Sequence, residues 1–326
     1  MSVIDNACQW RDTAGDPVDC HEGMILRDHG QWYWYGRRYR GNDTGVFGEE
    51  GARFRCPIVC CRSDDLVNWS PAWPALQYPE DGPYTLGTWH RPRVAFNART
   101  GRYVMWFFHL VLRPTAQVAT LTASAASPEG PFELEGPAET IGVDLSGDID
   151  LFVDEDASAY LACGDWSRNA LVAPLSDDMR SMAAAPSVVL EAGGSQASRY
   201  EGCALARYRG RYLYAASGVV GLAASETSYA VAAHPLGPWT PMGVMSQDLT
   251  WGCQISSLLR IPETDTLVAL CDRWLHDYAG RPVAESLYSA QQWYPVAVAS
   301  DGRARMLPLP QWDPRQPLEA MERGFG

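Results

Sequence analysis

The sequence predicts an all-β fold, a five-bladed β-propeller with four antiparallel strands per blade, on three observations. The first is a short aromatic and β-branched run, opened by a turn residue, that occurs five times: "GQWYWYG" at 30–36, "GRYVMWF" at 101–107, "SAYLACG" at 158–164, "GRYLYAASG" at 210–218 and "DTLVALC" at 265–271. The second is what lies between the copies. Further strand-like runs such as "DIDLFVDED" and "YAVAAHPLGPW" fill the intervals, giving about four strands per unit at a spacing of roughly 50 to 70 residues. The third is the punctuation, because small polar turns ("SDDLVNW", "SPEGPF", "SDDM", "LGPW") follow the aromatic runs and no amphipathic helix of twelve or more residues interrupts them. Repeated four-stranded units stack radially around a central channel. A β-sandwich array also has many short strands, but does not require the same aromatic run in every unit.

Taken in order, three blade openings stand out, "DCHEGMIL", "LSGDIDLF" and "SRYEGCAL". Each opening leads into one copy of the aromatic run. Together the blades occupy 1–326 as one domain, with the Pro-rich, polar stretch from about 305 to 326 expected to wrap the surface. An apolar content of 46% over 326 residues is ample for such a core.

Composition narrows the function classes. With 39 acidic against 26 basic residues the formal charge is −13, which repels a phosphate backbone, and no Lys/Arg stripe offsets it, so no nucleic-acid partner is expected. No apolar stretch reaches the roughly 18 residues of a membrane span, and "MSVIDNACQW" lacks the basic start and apolar run of a secretion signal. The expectation is a cytoplasmic protein with no membrane partner. Nine cysteines without framework spacing fit a reducing compartment. The tightest group, Cys56, Cys60 and Cys61, lacks a second ligand pair, so no metal and no cofactor is expected.

Three acids stand at the heads of blade-opening strands: Glu22, Asp148 and Glu201. First strands line the channel, so these carboxylates are expected to converge there. That is the equipment of glycoside hydrolysis, in which a protonated carboxyl donates to the leaving oxygen and an ionised one activates water. A third acid separates their pKa values by repulsion. The alternative for each is a solvated loop acid.

The ordered segments "DCHEGMILRDHGQWYWYG", "WHRPRVAFNARTGRYVMWFFH", "SGDIDLFVDEDASAYLACG", "RYEGCALARYRGRYLYAASG", "LGPWTPMG" and "TWGCQISSLLRIPETDTLVALCDRW" resemble, nearly end to end, glycoside hydrolase family 43, most of all its exo-β-1,3-galactanase branch. The resemblance implies a five-bladed propeller and an inverting, exo-acting glycosidase that releases a terminal galactose- or arabinofuranose-type sugar from an oligosaccharide or small glycoside. It implies Glu201 as general acid and Asp148 as the carboxylate that raises its pKa and orients it. In the galactanase branch the first blade carries glycine and no base, and a glutamine in a segment like "GCQIS" assists; that position here is Gln254. Glu22 replaces the glycine. Its spacing also fits the family's wider His-Asp-Pro pattern, which implies Glu22 as base.

Two further positions depart from the branch. His90 stands in "WHRPRV" where a glutamate holds substrate hydroxyls, and Arg37 in "WYGRRY" where an acid is usual. The sugar bound is therefore expected to differ, or the ligand to carry a negative group. Arg91 and Arg273 are candidates to fork onto hydroxyls or a carboxylate. By the resemblance His21 is a candidate to tune Glu22 or to hold a central ion, though a lone histidine assigns no metal, and Trp89, Trp251, Trp274 and Trp293 are candidates to stack on a sugar ring. Ion pairing with neighbouring acids, and core packing, are the respective alternatives. A second function class is a propeller that has lost glycosidase chemistry and binds a carbohydrate, or acts on another small molecule.

Overall fold

In the computed structural model, residues 3–38, 57–85, 87–111, 117–193, 199–220, 224–273 and 290–319 are described. They form five four-stranded antiparallel sheets. Each sheet is a meander in chain order: blade 1 runs from His21–Asp28 to Trp73–Leu76, blade 2 from Thr88–Asn97 to Glu133–Pro137, and blade 3 from Leu145–Val153 to Ser187–Leu190. Blade 4 runs from Tyr200–Tyr208 to Thr240–Val244, and blade 5 from Cys253–Ile261 to Ala304–Met306. The five aromatic runs are the second strands, Gln31–Arg37, Arg102–Val111, Ala159–Asp165, Arg211–Gly218 and Thr266–Arg273. A second strand is flanked by strands on both edges and by blades on both faces, which is why it reads as a continuous apolar run instead of an alternating one.

The first strand of each blade packs on that of the next, and the fifth packs on the first, closing the ring. Apolar clusters fill the wedges between neighbouring blades. The joint between blades 5 and 1 is sealed by tryptophans: Trp34 lies 5.1 Å from Trp293 and 5.2 Å from Trp69, edge to face, with Trp10 4.5 Å from Trp293. Both chain ends are tied there. Ile4–Asp5 pairs antiparallel with Gln311–Trp312, and the Asn6 amide donates to the carbonyls of Trp293 and Leu309 at 2.9 and 2.8 Å.

This corrects the expectation for the C-terminal stretch. Its opening residues complete the outer strand of blade 5, and Leu307, Leu309 and Trp312 are buried. Those apolar residues leave water by joining the tryptophan cluster, which the Pro-rich spacing concealed.

All five first strands share one irregularity that positions the site. The register to the second strand slips between His21 and Met24, His90 and Arg93, Leu145 and Ile149, Glu201 and Ala204, and Ile255 and Ser257. A β-bulge inserts an unpaired residue and re-aims its side chain. Here it turns the inner end of every blade toward the axis. Glu22 (φ 55°) and Arg91 (φ 50°) take left-handed backbone there, at a cost of roughly 1–3 kcal/mol each that the surrounding sheets must outweigh.

Candidate active site

The bulges of blades 2 to 5 bring four side chains into one hydrogen-bonded chain. Arg91, 2% exposed, donates through Nε to Asp148 Oδ1 at 3.1 Å and through Nη2 to Gln254 Oε1 at 2.7 Å. Gln254 then donates through Nε2 to Glu201 Oε1 at 2.8 Å. The second Asp148 oxygen accepts the Gly202 N–H at 2.5 Å, so Asp148 grips the backbone beside Glu201. Only glycine suits position 202: its φ is 62°, and a Cβ would lie 2.7 Å from the Ile255 carbonyl oxygen.

Electrostatics follow from this arrangement. Burial pushes the Glu201 carboxyl up to about 8, and the negative Asp148 adds to the rise; Arg91, Arg168 and the Gln254 hydrogen bond oppose it without cancelling it. Glu201 is therefore a protonated donor at neutral pH. Its side chain and that of Asp148 remain half-buried and reachable from solvent.

Glu22 sits deeper, 5% exposed. Burial alone would raise its pKa, but His90 and Arg37, with Arg91 behind them, hold the carboxyl well below its usual range. Its Oε2 lies 3.1 Å from His90 Nδ1 and 3.6 Å from Arg37 Nη1. Burial and the adjacent Arg37 lower the His90 pKa, against the pull of Glu22, and so favour the neutral ring. Glu22 is thus an ionised carboxylate in the channel, with its charge met by Arg37 and its hydrogen bond by His90.

Beneath these groups lies a second layer. Arg93, fully buried, pairs with Asp150 at 2.9 Å and donates to the carbonyls of Glu22 (2.9 Å) and Ser256 (2.7 Å). Asp272 Oδ1 accepts the Glu22 N–H at 3.0 Å and the Gln291 amide at 2.8 Å, with His21 Nδ1 at 3.5 Å. Arg93, Asp150 and Asp272 were not singled out in the sequence. A signal for two of them existed: Arg93 and Asp150 each follow a site residue by two positions, in "RPR" and "DID".

Eight sequence candidates therefore meet around the channel: Glu22, Asp148, Glu201, Gln254, His90, Arg91, Arg37 and His21. Two of these lie too deep to touch a ligand. His21 and Arg37 are both 0% exposed and act through Asp272 and Glu22 respectively. The tryptophans go elsewhere. Trp89 is fully buried and stacked on Tyr78 at 3.9 Å, and Trp293 belongs to the sealing cluster, because bulky indoles gain more from blade-to-blade packing than from a wet rim. Trp251 is half-buried against Tyr294 at 4.8 Å, immediately ahead of the strand that carries Gln254. Arg273 is exposed at the end of its strand, and Trp274 lies outside the described residues.

Trp251 ends a tight left-handed turn in which Asp248, Leu249, Thr250 and Trp251 all have φ near 50°. Such backbone costs roughly 1–2 kcal/mol per non-glycine residue. The buried Thr250 hydroxyl anchors it, donating to Ser225 O at 2.6 Å and meeting Ser246 Oγ and Thr227 Oγ1 at 2.9 and 3.0 Å.

Comparison with known proteins extends this picture. The sequence profile of glycosyl hydrolases family 43 matches residues 17–250. An exo-β-1,3-galactanase from Phanerochaete chrysosporium, solved with β-1,3-galactotriose, superposes with a TM-score of 0.81 at 26% identity, over 96% of this chain and 68% of that one. Two further structures show the same fold at 22% identity. They are an exo-β-1,3-galactanase from Clostridium thermocellum (TM-score 0.81, covering 98% and 68%) and a putative exo-β-1,3-galactanase from Bifidobacterium bifidum (TM-score 0.75, covering 93% and 96%). No curated protein sequence matches the chain.

Proposed function

The chain belongs to glycosyl hydrolases family 43 and is a glycosidase; from the acids of its channel we infer that it is an inverting, exo-acting enzyme releasing a terminal galactose-type or arabinofuranose-type sugar. The observation that carries this reading is the pairing of Glu201, pushed up to about 8, with an ionised Glu22 in the same channel. Hydrolysis with inversion needs both states at once: an acid to protonate the departing oxygen and a base to take the proton of the attacking water.

In this reading Glu201 Oε2, the oxygen not engaged by Gln254, donates its proton to the glycosidic oxygen. Asp148 keeps that proton in place at neutral pH and, through Arg91 and the Gly202 N–H, fixes the strand on which Glu201 rides. The bond from the anomeric carbon to that oxygen breaks as water adds from the opposite face. Water's proton passes to Glu22, which afterwards returns it to solvent while Glu201 regains one from solvent. Galactose is the better-supported sugar, since the neighbour at 26% identity was solved with a galactotriose.

A specific observation favours a second assignment of the base. His90 and Arg37 already engage the Glu22 carboxylate, which weakens it as a proton acceptor, while Gln254 sits directly against Glu201. In that version Gln254 orients the water and Glu22 only balances charge. Kinetics on nitrophenyl galactosides, arabinofuranosides and their oligosaccharide counterparts decides between them. Glu201→Gln is expected to lose about 10²–10⁴-fold on oligosaccharides, and far less on nitrophenyl glycosides that need no protonation. Glu22→Gln should stop turnover of both kinds. Near-normal turnover by Glu22→Gln with an inactive Gln254→Ala assigns the water to Gln254, and equal losses on both substrates in Glu201→Gln remove Glu201 as the acid. The anomer first formed, read by proton NMR, tests inversion.

A further inference from the structure

The leaving group departs on the Glu201 side of the channel, and one exposed turn borders that side. It joins Ala159–Asp165 to Ala170–Pro174 in blade 3 and carries Trp166 and Arg168. Leu145 pairs with Asp165, so the turn lies at the end of the blade where Asp148 stands. The Arg168 carbonyl accepts the N–H of Tyr200, the residue before Glu201, at 2.9 Å.

The turn is built and braced. Arg168 holds left-handed backbone, φ 67°, unusual for a long side chain. Its N–H donates to the Asp165 carbonyl at 2.9 Å, and Asn169 clamps both Asp165 carboxylate oxygens, from its backbone N–H at 2.9 Å and its amide at 2.8 Å. Asn169 Oδ1 in turn accepts the Ala192 N–H at 2.8 Å. Strained backbone held this firmly fixes where Arg168 begins. Its guanidinium lies 5.7 Å over the Trp166 ring, and Trp166, 54% exposed, also borders a depression of about 400 Å³ on the blade 2 side, shared with Thr120, Pro137 and Leu145.

On this acidic chain the outer arginines Arg62, Arg99, Arg180, Arg207, Arg303 and Arg315 each pair with a carboxylate. Arg168 is one of several arginines, with Arg11, Arg199 and Arg211, that have no ion pair among the described residues. The positive charge also reaches Glu201, whose pKa it lowers against the other influences.

We propose that Trp166 and Arg168 form a leaving-group subsite for an anionic sugar, the indole stacking on the ring and the guanidinium gripping its carboxylate or phosphate. An arginine fork matches either anion in a two-point hydrogen bond, and a flat aromatic face suits the C–H side of a pyranose. The subsite deepens the glycosidase reading by naming the class of sugar beyond the scissile bond.

Calorimetric titration of D-glucuronate, D-glucose 6-phosphate and D-glucose into the full chain tests it without relying on turnover. One of the two anions should bind about tenfold more tightly than glucose, a difference of about 1.4 kcal/mol, and whichever does so identifies the anionic group. Arg168→Gln should abolish that preference while Arg168→Lys retains part of it, and Trp166→Ala should weaken all three ligands together. Equal affinity for all three sugars in the unaltered chain, or a preference that survives Arg168→Gln, overturns the proposal. Loss of the glycosidase reading would show differently, as absent hydrolysis with the anion preference intact.

Discussion

Glu22 and Glu201 stand at matching bulges of blades 1 and 4, both largely withdrawn from water, and they end in opposite protonation states. Burial acts on them in the same direction, toward the neutral acid. Neighbours decide the rest. Around Glu22 the nearest groups are Arg37 and His90, with Arg91 behind, and they outweigh desolvation. Around Glu201 the contacts are a neutral amide and the negative Asp148, so desolvation stands. One fold position thus holds either a protonated or an ionised carboxyl, and the neighbouring side chains of its own and the adjoining blades choose which. Arg91 couples the two halves, since it bonds Asp148 and Gln254 and its charge reaches both glutamates.

Removing that coupling is the largest perturbation available. Arg91→Met leaves Asp148 and Gln254 without their shared donor in a buried setting, and breaking one partner out of such a network costs about 3–5 kcal/mol. Both carboxyls should then titrate higher, because Arg91 lowers each. Urea unfolding with the pH profile of kcat/KM checks this. A variant of unchanged stability and profile would mean that the two halves are independent.

Asp148→Asn sharpens the contrast from one side. It removes the anion that helps hold the Glu201 proton and frees Arg91 from its ion pair, and both changes favour the ionised acid. The alkaline limb of kcat/KM, expected near pH 8 from Glu201, should move to lower pH. An unmoved limb would show that burial alone sets the acid.

The two glutamates should also leave opposite marks on stability. Glu201 is raised in the folded state, so between its unfolded value near 4.5 and about 8 the folded protein binds the extra proton. Its contribution is present below the unfolded value and fades as pH climbs through about 8. Glu22 is lowered, so its contribution is present above the unfolded value and lost as pH falls through its depressed folded value. Thermal unfolding of Glu201→Gln should therefore gain on the parent as pH rises from about 5 toward about 9. Glu22→Gln should compare worst at neutral pH and recover toward the parent under acid.

How much of this was legible without coordinates follows from what each signal measures. The five second strands announced themselves because burial on both faces makes them continuous apolar runs. Glu22, Asp148 and Glu201 were found because each is an acid at a blade opening. The balance of their charges was not legible. That Arg37 meets Glu22 follows from the hairpin of blade 1, which sets His21 opposite Arg37, and that Arg91 reaches Gln254 across 163 residues is a consequence of ring closure. Tryptophan was misleading: Trp89 and Trp293 sit near site segments in sequence, yet the inward turn made by the bulge carries His90 to the channel and leaves Trp89 between the sheets. The turn bearing Arg168 carried no motif, and only its tether to Tyr200 places it beside the acid.

The finest test concerns how His90 meets Glu22. His90 is neutral, so one ring nitrogen donates and the other accepts. Donation to Glu22 has to come from Nδ1, 3.1 Å from Oε2, because an ionised carboxylate offers only acceptors. Nε2 must then accept, and two donors face it, the Thr88 hydroxyl at 2.6 Å and Arg37 Nη1 at 3.2 Å. Thr88→Val keeps the shape and deletes the hydroxyl, leaving Nε2 with a weaker claim to the accepting role. The loss should be about 1 kcal/mol, the worth of one hydrogen bond in a buried setting. Its functional mark should be confined to the Glu22 half: a lower rate on nitrophenyl and oligosaccharide substrates alike, with the alkaline limb set by Glu201 unmoved. If that limb shifts instead, Thr88 acts on the acid, and the two sides of the channel are more tightly joined than Arg91 alone makes them.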